Sequence, residues 1–398
     1  MILGRDIVIV GQQPWDVEIG SNCKNIAMEF SKYNRVLYVN SPLDRFTLIR
    51  KKKDPKIQKR INVIRGLENG LIKVENNIWN LFPNRMIESI NWIGFQNIFE
   101  FFNKQNNKIF ARCIKAAIVE LGFKDFILFN DNDIFRCFYL KELLQPSVSV
   151  YYCRDYMLAV DYWKKHGEKL EPLLICKSDV CVANSTYLAD YCKEFNPNSF
   201  YVGQGCDLSI FSDHNVFQVS KDFDNIPRPI IGYVGALLAL RLDIEILIHI
   251  AINNPTWSIV LVGPEDDAFS NSQLHSFSNV YFLGSKPNHL LPNYIHSFDV
   301  CINPQLISQV TIGNYPRKID EYLAMGKPVV ASKTAFMQSV FNNYTYLGDN
   351  GSDFIDLIKL ALMENSEEKA KDRKEFANTH SWEKSVEAIY SSITKVSH

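Results

Sequence analysis

A lysine and a glutamate three residues apart, Lys318 and Glu321, are the first candidates for chemistry in this sequence. The pattern around them predicts a short helix, because Pro316 suits a first helical turn and Gly326 suits a left-handed helix end. At this spacing the amine and the carboxylate share one helix face. A lysine at a helix start behind a glycine-containing loop is typical of an anion-binding site. An ordinary surface helix followed by a strand fits the same stretch, so both interpretations stay open.

A third candidate, Asp155, lies just past a strand predicted over 148–152. Open α/β sheets hold ligands beyond the carboxyl ends of their strands, so a catalytic carboxylate is expected there. An N-cap of the following helix is the alternative. Residues 130–133, Asn-Asp-Asn-Asp, also follow a predicted strand. Asp131 in this stretch fits an acceptor-facing loop, and equally a structural turn or a helix cap.

The first strand, predicted over residues 7–10, ends in a loop that contains Gly11, Gln13 and Trp15. A helix and a second strand follow, and a right-handed crossover makes the two strands parallel neighbours. The loop therefore lies at the ligand-binding edge of the predicted sheet. Its glycines do not form GxGxxG, so a dinucleotide fingerprint is not supported.

The bulk properties indicate a two-domain protein, because 398 residues exceed what one core usually serves. A net charge of −1 offers no general attraction for nucleic acid. The nine cysteines form no CxxC pair, which suits reduced, buried thiols in a cytosolic protein. The sequence predicts no signal peptide and no membrane span. The βαβ pattern pauses over a polar stretch at 212–228 and restarts at residue 230, so 212–228 is predicted to be an interdomain linker.

Residues 45–65 carry nine lysines and arginines, among them Lys51, Lys52 and Lys53, against one acid. A solvated loop explains this, but so does a patch for an anionic membrane or a phosphate-bearing acceptor. The following stretch, 79–102, is rich in aromatic residues at helical spacing and includes Trp79 and Trp92. Basic residues beside aromatic amphipathic helices are typical of peripheral membrane proteins, although a core helix would also look apolar.

Several motifs occur in a fixed order in the second half of the chain. They are Gly232-Tyr-Val-Gly235, Leu261-Val-Gly-Pro264, Val280-Tyr-Phe-Leu-Gly284, Phe298-Asp-Val300 and a closing Ser381-Trp-Glu383. Together with the stretch around Lys318, they resemble GT-B glycosyltransferases, close to glycosyltransferase family 4 (group 1) and the xanthan-type bacterial glucuronosyltransferases. The resemblance implies an α/β fold of two Rossmann-like parallel-sheet domains facing a central cleft. It places the N-terminal acceptor domain at 1–211, joined by a C-terminal helix at 381–398, and the nucleotide-sugar-binding domain at 229–380.

The resemblance also assigns roles to residues. Glu321 resembles the glutamate that hydrogen-bonds the donor ribose, and Lys318 the lysine that meets the diphosphate. Arg241 could add charge at the phosphates, or could instead pair with Asp243 or Glu245. The residues expected to bind the donor are Gly235, Arg241, Gly263, Pro264, Tyr315, Arg317, Lys318 and Glu321.

One position departs from the family. Retaining family 4 enzymes carry a second glutamate eight residues before the first, and here that position is Gly313. The inverting relatives use a carboxylate of the N-terminal domain as the base, and Asp155 matches it best in position. A carboxylate in hydrogen-bond reach of the acceptor hydroxyl could deprotonate it. In GT-B enzymes Lys318 and the helix start would take the place of a metal, so no metal or other cofactor is expected.

The expected function is transfer of a sugar from a nucleotide-sugar donor, with UDP as the expected nucleotide, to a lipid-linked or polysaccharide acceptor in cell-surface glycan synthesis. The expected location is the cytoplasmic face of an anionic membrane. A retaining family 4 transferase, an epimerase using a UDP-sugar and a non-catalytic GT-B-like scaffold are alternatives. A nucleic-acid partner is disfavoured by the neutral charge balance.

Overall fold

The computed structural model describes residues 2–16, 21–211 and 217–396. The chain forms two compact units. The N-terminal unit comprises the chain up to Gly203 together with the segment that begins at Ser385, and the C-terminal unit runs from Gln204 to Lys384. Residues 212–216 of the predicted linker lie outside the described residues.

The N-terminal unit is built on an eight-stranded sheet in the order β3-β4-β2-β1-β5-β6-β7-β8, parallel except that β3 runs antiparallel to β4. Its strands are β1 (Asp6–Val10), β2 (Arg35–Val39), β3 (Leu71–Glu75), β4 (Ile78–Leu81), β5 (Ile127–Asp131), β6 (Val148–Cys153), β7 (Val180–Ala183) and β8 (Ser199–Tyr201). Its helices are α1 (Asn22–Ser31), α2 (Arg45–Arg50), α3 (Pro55–Ile64), α4 (Gln96–Leu121), α5 (Leu140–Leu144), α6 (Asp161–Lys177) and α7 (Thr186–Lys193).

The C-terminal unit contains a six-stranded parallel sheet in the order β11-β10-β9-β12-β13-β14. Its strands are β9 (Ile230–Val234), β10 (Ser258–Val262), β11 (Val280–Phe282), β12 (Val300–Asn303), β13 (Val329–Ser332) and β14 (Tyr346–Gly348). Its helices are α8 (Ile244–Asn253), α9 (Asp267–Ser270), α10 (Leu291–Ser297), α11 (Arg317–Ala324), α12 (Ala335–Val340), α13 (Gly351–Glu364) and α14 (Glu367–Asn378). The last helix, α15 (Trp382–Val396), belongs to the N-terminal unit from Ser385 onward.

The central strands of both sheets are continuous apolar runs because helices cover both of their faces. All five residues of β1, β9 and β10 are buried. The register of β1 and β2 places Asp6 opposite Arg35, and the Arg35 guanidinium binds that carboxylate through two hydrogen bonds of 2.7 Å each. This pair fixes where the first two strands begin.

Two sequence predictions about the basic and aromatic segments need correction. The solvated-loop alternative for residues 45–65 fails for most of the stretch, because α2 and α3 occupy it and Asp44 and Asp54 cap them at their N-termini, while residues 51–54 between the helices are not helical. The helical spacing predicted from Trp79 onward is wrong as far as residue 95. Trp79 lies in β4 and packs edge-on against Phe123, and the helix in this region begins only at Gln96. Among the described residues, no helix is long and apolar enough to cross a membrane.

A buried network supports the loop after β6. Glu171 is fully buried and accepts hydrogen bonds from the hydroxyls of Tyr151 (2.6 Å) and Tyr191 (3.1 Å). The Asn132 side-chain amide donates to the Tyr151 hydroxyl at 3.0 Å, and its oxygen accepts from the backbone N–H of Asp155 at 2.9 Å. The backbone position of Asp155 therefore depends on a chain of hydrogen bonds that ends at Glu171.

Burial raises the pKa of Glu171 to about 7, although the two tyrosine hydroxyls act in the opposite direction. Because the folded pKa lies above the unfolded value, the stabilising contribution is complete at acidic pH and is lost as the pH rises through about 7. We expect the free energy of unfolding of the wild type, relative to Glu171→Gln, to fall by about 3 kcal/mol between pH 4.5 and 8. Urea unfolding across this range measures the difference.

The matched control is Glu168→Gln, which changes a largely exposed carboxylate on the same helix and should leave the pH dependence of stability unchanged. If wild type and Glu171→Gln show the same pH dependence, the buried carboxylate does not titrate as described.

Candidate functional site

The first candidate site is a cavity of about 350 Å³ in the C-terminal unit. It lies beyond the carboxyl ends of β9 and β12 and beside the start of α11, where parallel sheets hold ligands. Six of the eight predicted donor-binding residues line it: Gly235, Arg241, Tyr315, Arg317, Lys318 and Glu321. The structure thus brings together most of the residues that the family resemblance implied for donor binding.

The other two predicted residues, Gly263 and Pro264, do not line this cavity. They support its wall instead. A methyl group at Gly263 would lie 1.8 Å from the carbonyl oxygen of Gly235, so only glycine permits this approach. Gly235 N–H donates to the Val262 carbonyl at 2.9 Å, and Leu237 N–H donates to the Pro264 carbonyl at 2.8 Å. The ends of β9 and β10 thus hold each other's loops in place.

Among the described residues that line this cavity, Glu321 is the only acidic one, and it is 4% exposed. Lys318 Nζ lies 2.7 Å from its Oε2, and Arg317 Nη2 lies 3.9 Å from its Oε1. Arg241 adds a third, exposed cation to the lining and forms no ion pair with Asp243 or Glu245 within the described ranges. Three cations against one carboxylate leave the cavity with an excess of positive charge, which suits a diphosphate.

The α11 helix that carries these groups is anchored on its other side. Asp320 is fully buried, with Oδ1 2.6 Å from His380 Nδ1, and its Oδ2 accepts a hydrogen bond of 2.7 Å from the Tyr315 hydroxyl. Burial raises the pKa of Asp320, while His380 and Tyr315 act to lower it. The helix ends as predicted, with Gly326 in a left-handed conformation at φ 71°.

Polar groups on the segment after β12 were not among the residues predicted from the sequence. Asn303, Gln305, Thr311 and Asn314 also line the cavity, and Gln305 Nε2 donates to the Thr311 carbonyl at 2.9 Å. The same strand-end rule that pointed to Gly235 could have identified this segment. Gly313, the position of the missing second glutamate, is a buried glycine in the turn that precedes α11.

A second, separate candidate site lies in the N-terminal unit and centres on Arg154, which was not among the residues predicted from the sequence. Its guanidinium contacts three side chains: Asp131 Oδ1 at 2.8 Å, Asp155 Oδ2 at 2.8 Å and Gln12 Oε1 at 2.9 Å. Burial lowers the pKa of Arg154, but the two carboxylates outweigh it and raise that pKa above its usual value. The cluster joins the loops that follow β1, β5 and β6.

The two carboxylates of this cluster differ in accessibility. Asp131 is fully buried and also accepts the backbone N–H of Gln12, so it holds the loops together. The Asp155 side chain is 43% exposed, so it can meet a hydroxyl group from outside. Asp133 forms an ion pair of 2.5 Å with Arg136, so this residue of the stretch 130–133 stabilises the turn after β5. In the described part of the chain, no group of three or more histidine, cysteine, aspartate or glutamate side chains could hold a metal ion.

The predicted loop residues Gly11, Gln13 and Trp15 pack against β2. A methyl group at Gly11 would lie 2.2 Å from the Tyr38 hydroxyl, and that hydroxyl donates to the Gln13 carbonyl at 2.7 Å. The Trp15 ring stands edge-on to the Tyr38 ring at 5.0 Å. These residues therefore shape the loop beside Gln12.

Comparisons with known proteins agree with this geometry. Residues 228–361 match the family model "Glycosyl transferases group 1". TuaH of Bacillus subtilis strain 168, described as a putative teichuronic acid biosynthesis glycosyltransferase, is 29% identical over 187 residues, 46% of this chain and 47% of TuaH. The chain thus spans about half the length of the curated relative that it matches.

Solved structures show the fold over nearly the whole chain. Sucrose-phosphate synthase from Thermosynechococcus elongatus has a TM-score of 0.66 at 15% identity, covering 98% of each chain. HepE from Anabaena, solved with UDP and glucose, has a TM-score of 0.62 at 13% identity, covering 98% of this chain and 99% of that one. The predicted resemblance is confirmed: the chain has the GT-B fold, and its residues 228–361 match the group 1 glycosyl transferase family model.

Proposed function

We propose that this protein is a glycosyltransferase that binds a nucleotide-sugar donor, with UDP as the nucleotide, in the cavity beside α11. The observation that carries the proposal is the arrangement of Lys318 and Glu321, an amine and a buried carboxylate 2.7 Å apart in a cavity with two further cations. The group 1 domain contains this cavity, and TuaH and HepE support the same class of activity.

The groups in the cavity suit the parts of such a donor. Lys318, Arg317 and the N-terminus of α11 can neutralise a diphosphate, and Arg241 adds charge. The Glu321 carboxylate can accept hydrogen bonds from two vicinal ribose hydroxyls. In the structure Lys318 and Glu321 satisfy each other, so donor binding would exchange their contact for contacts with the ligand.

We further propose that the acceptor is lipid-linked or a polysaccharide in cell-surface glycan synthesis, which the likeness to TuaH supports. The exposed carboxylate of Asp155 would be the base that deprotonates the acceptor hydroxyl, and the sugar would be transferred with inversion and without a metal. The glycine at position 313 supports this over retention, because it offers no second carboxylate. Retention, epimerisation and a non-catalytic scaffold are the alternatives, and the donor-binding test below separates the scaffold from the enzymes.

Glu321→Ala is expected to abolish the thermal stabilisation that UDP-sugars give the wild type, because charge-assisted hydrogen bonds to the ribose are lost. Affinity should fall at least about tenfold. Inorganic pyrophosphate, which has no ribose, should bind the variant at least as well, since the cations remain. A thermal-shift titration measures both.

Glu368→Ala, an exposed glutamate on α14, is the control and should behave as the wild type. Unchanged UDP-sugar binding by Glu321→Ala would contradict the proposed role, and no stabilisation of the wild type by any nucleotide sugar would favour the scaffold.

Asp155→Asn is expected to keep donor binding and to reduce sugar transfer by about a hundredfold or more, because the acceptor hydroxyl loses its base. Product formation from a UDP-sugar, measured beside the thermal shift, tests this. Asp190→Asn, at an exposed site in the same unit, should leave both unchanged. Transfer at the wild-type rate by Asp155→Asn would remove this residue from the mechanism.

We also propose that the N-terminal unit contacts the cytoplasmic face of an anionic membrane. Lys51, Lys52 and Lys53 are exposed beside α2, whose Ile49 is 78% exposed, and Trp92 is 77% exposed. Trp79 is not part of this surface, because it is half-buried against the sheet.

Replacing Lys51–Lys53 by alanine should weaken sedimentation with phosphatidylserine vesicles on the order of a hundredfold, at about 1 kcal/mol for each cation. Alanine at three exposed lysines of the C-terminal unit, Lys359, Lys369 and Lys371, is the matched control. Equal binding by the two triple variants would argue against a membrane role for this patch.

A further inference from the structure

His380 lies behind the cavity beside α11 and is connected to it through one carboxylate. Neither Asp320 nor His380 is among the described residues that line this cavity, whereas Tyr315 is. The Asp320 Oδ1 atom lies 2.6 Å from His380 Nδ1, and Asp320 Oδ2 accepts a hydrogen bond of 2.7 Å from the Tyr315 hydroxyl. That hydroxyl also lies 3.2 Å from His380 Nδ1. The three side chains therefore form one connected group that reaches the cavity through Tyr315.

The protein encloses the acidic and basic members of this group. Asp320 is 0% exposed, and the His380 side chain is 14% exposed. The centroid of the imidazole lies 4.7 Å from that of the Phe376 ring and 5.5 Å from that of the Phe341 ring. Charges interact more strongly in such surroundings than in water, because the effective dielectric constant is lower. A change in the charge of this group therefore affects neighbouring charges.

The imidazole determines the net charge of the Asp320–His380 pair. Since Nδ1 faces a carboxylate, it carries a proton in both states of the ring, and Nε2 is the nitrogen that gains or loses one. An imidazole can gain a proton within the physiological pH range. When Nε2 holds a proton, the imidazolium cancels the charge of the carboxylate. When Nε2 has lost it, one net negative charge remains buried on α11.

This negative charge would lie close to the phosphates of a bound donor. Asp320 follows Lys318 by two residues, which is about 3 Å along a helix axis. Arg317 and Lys318, the cations proposed to meet the diphosphate, belong to the same first turn. A buried negative charge at this place opposes the binding of an anion. Donor affinity should therefore be higher when the pair holds the additional proton.

The other charged and titratable side chains around the pair leave this compensation to the imidazole. On α11, the charge of Glu321 is matched by Lys318 at 2.7 Å. On the segment after β8, burial raises the pKa of the Cys206 thiol, which therefore stays uncharged. On α14, Arg373 donates to the Gly326 carbonyl, past the opposite end of α11. Among the described residues, the group that forms an ion pair with Asp320 is the imidazole.

We propose that His380 is a positioning residue of the donor site, which compensates Asp320, holds the start of α11 and gains a proton when the diphosphate binds. If a proton favours the donor, the donor favours the proton by the same factor. The inference rests on the proposed function, because it concerns affinity for the same donor. The backbone of His380 is held independently of its side chain, since its carbonyl accepts the Cys206 N–H at 2.9 Å.

Calorimetric titration of the full chain with UDP, repeated between about pH 5.5 and 8.5, tests this. His380→Asn keeps an N–H for Asp320 but cannot gain a charge. It should bind UDP as the wild type does at the alkaline end, and at least about fivefold more weakly at the acid end. Comparison of the two chains at each pH cancels the ionisation of UDP itself. His296→Asn, at an exposed histidine of α10, should reproduce the wild-type profile.

Asp320→Asn changes the same pair in the opposite direction, because it removes the negative charge. This variant should bind UDP at least about fivefold more tightly than the wild type at the alkaline end of the range. Damage to the fold would weaken UDP binding by both variants. A gain in affinity therefore separates proton linkage from a merely structural role, and it keeps the test available if His380→Asn does not fold.

A constant ratio of UDP affinities between His380→Asn and the wild type across the pH range would overturn the proposal. So would weaker UDP binding by Asp320→Asn than by the wild type at every pH. The two hypotheses fail in different ways. UDP binding with a constant ratio removes this inference alone, whereas no UDP binding by the wild type at any pH removes the proposed donor site and this inference with it.

Discussion

Two adjacent carboxylates, Asp320 and Glu321, are buried on one short helix, and the candidate donor site depends on how each is satisfied. Successive residues of a helix point about 100° apart, so the two side chains enter different surroundings. Asp320 meets His380 and Tyr315, which anchor α11, whereas Glu321 meets Lys318 at the cavity. A buried charge without a partner is strongly destabilising, so both partner sets are required for the helix to sit where it does.

The N-terminal unit also contains a pair of carboxylates, one of which has a structural role while the other is left accessible. Arg154 binds both Asp131 and Asp155, yet only Asp155 is partly exposed. The buried member fixes the guanidinium, and the guanidinium together with Asn132 fixes the exposed member. The exposed carboxylate of Asp155 is thereby held in one place without being enclosed, and its proposed role as a base for an external hydroxyl requires both.

Local sequence patterns predicted the parallel strands and the bounds of α11, because these follow from periodicity, caps and strand ends. The family resemblance supplied the six predicted residues that line the cavity. The contacts that give the site its geometry join distant residues and have no local signal. His380 lies 60 residues from Asp320, and Arg154 lies 142 residues from Gln12. The misassigned helix at Trp79 has another cause: aromatic residues suit strands as well as helices, so spacing alone could not separate them.

The central claim is that Lys318 binds the diphosphate of a nucleoside diphosphate and that Glu321 binds its ribose. A crystal structure with UDP tests this claim most directly. If the claim is right, the diphosphate lies within hydrogen-bond distance of Lys318 Nζ, and the ribose hydroxyls contact the Glu321 carboxylate. Contacts with the ligand then replace the direct contact between those two side chains. UDP bound elsewhere, or an intact Lys318–Glu321 pair making no contact with the nucleotide, would contradict it.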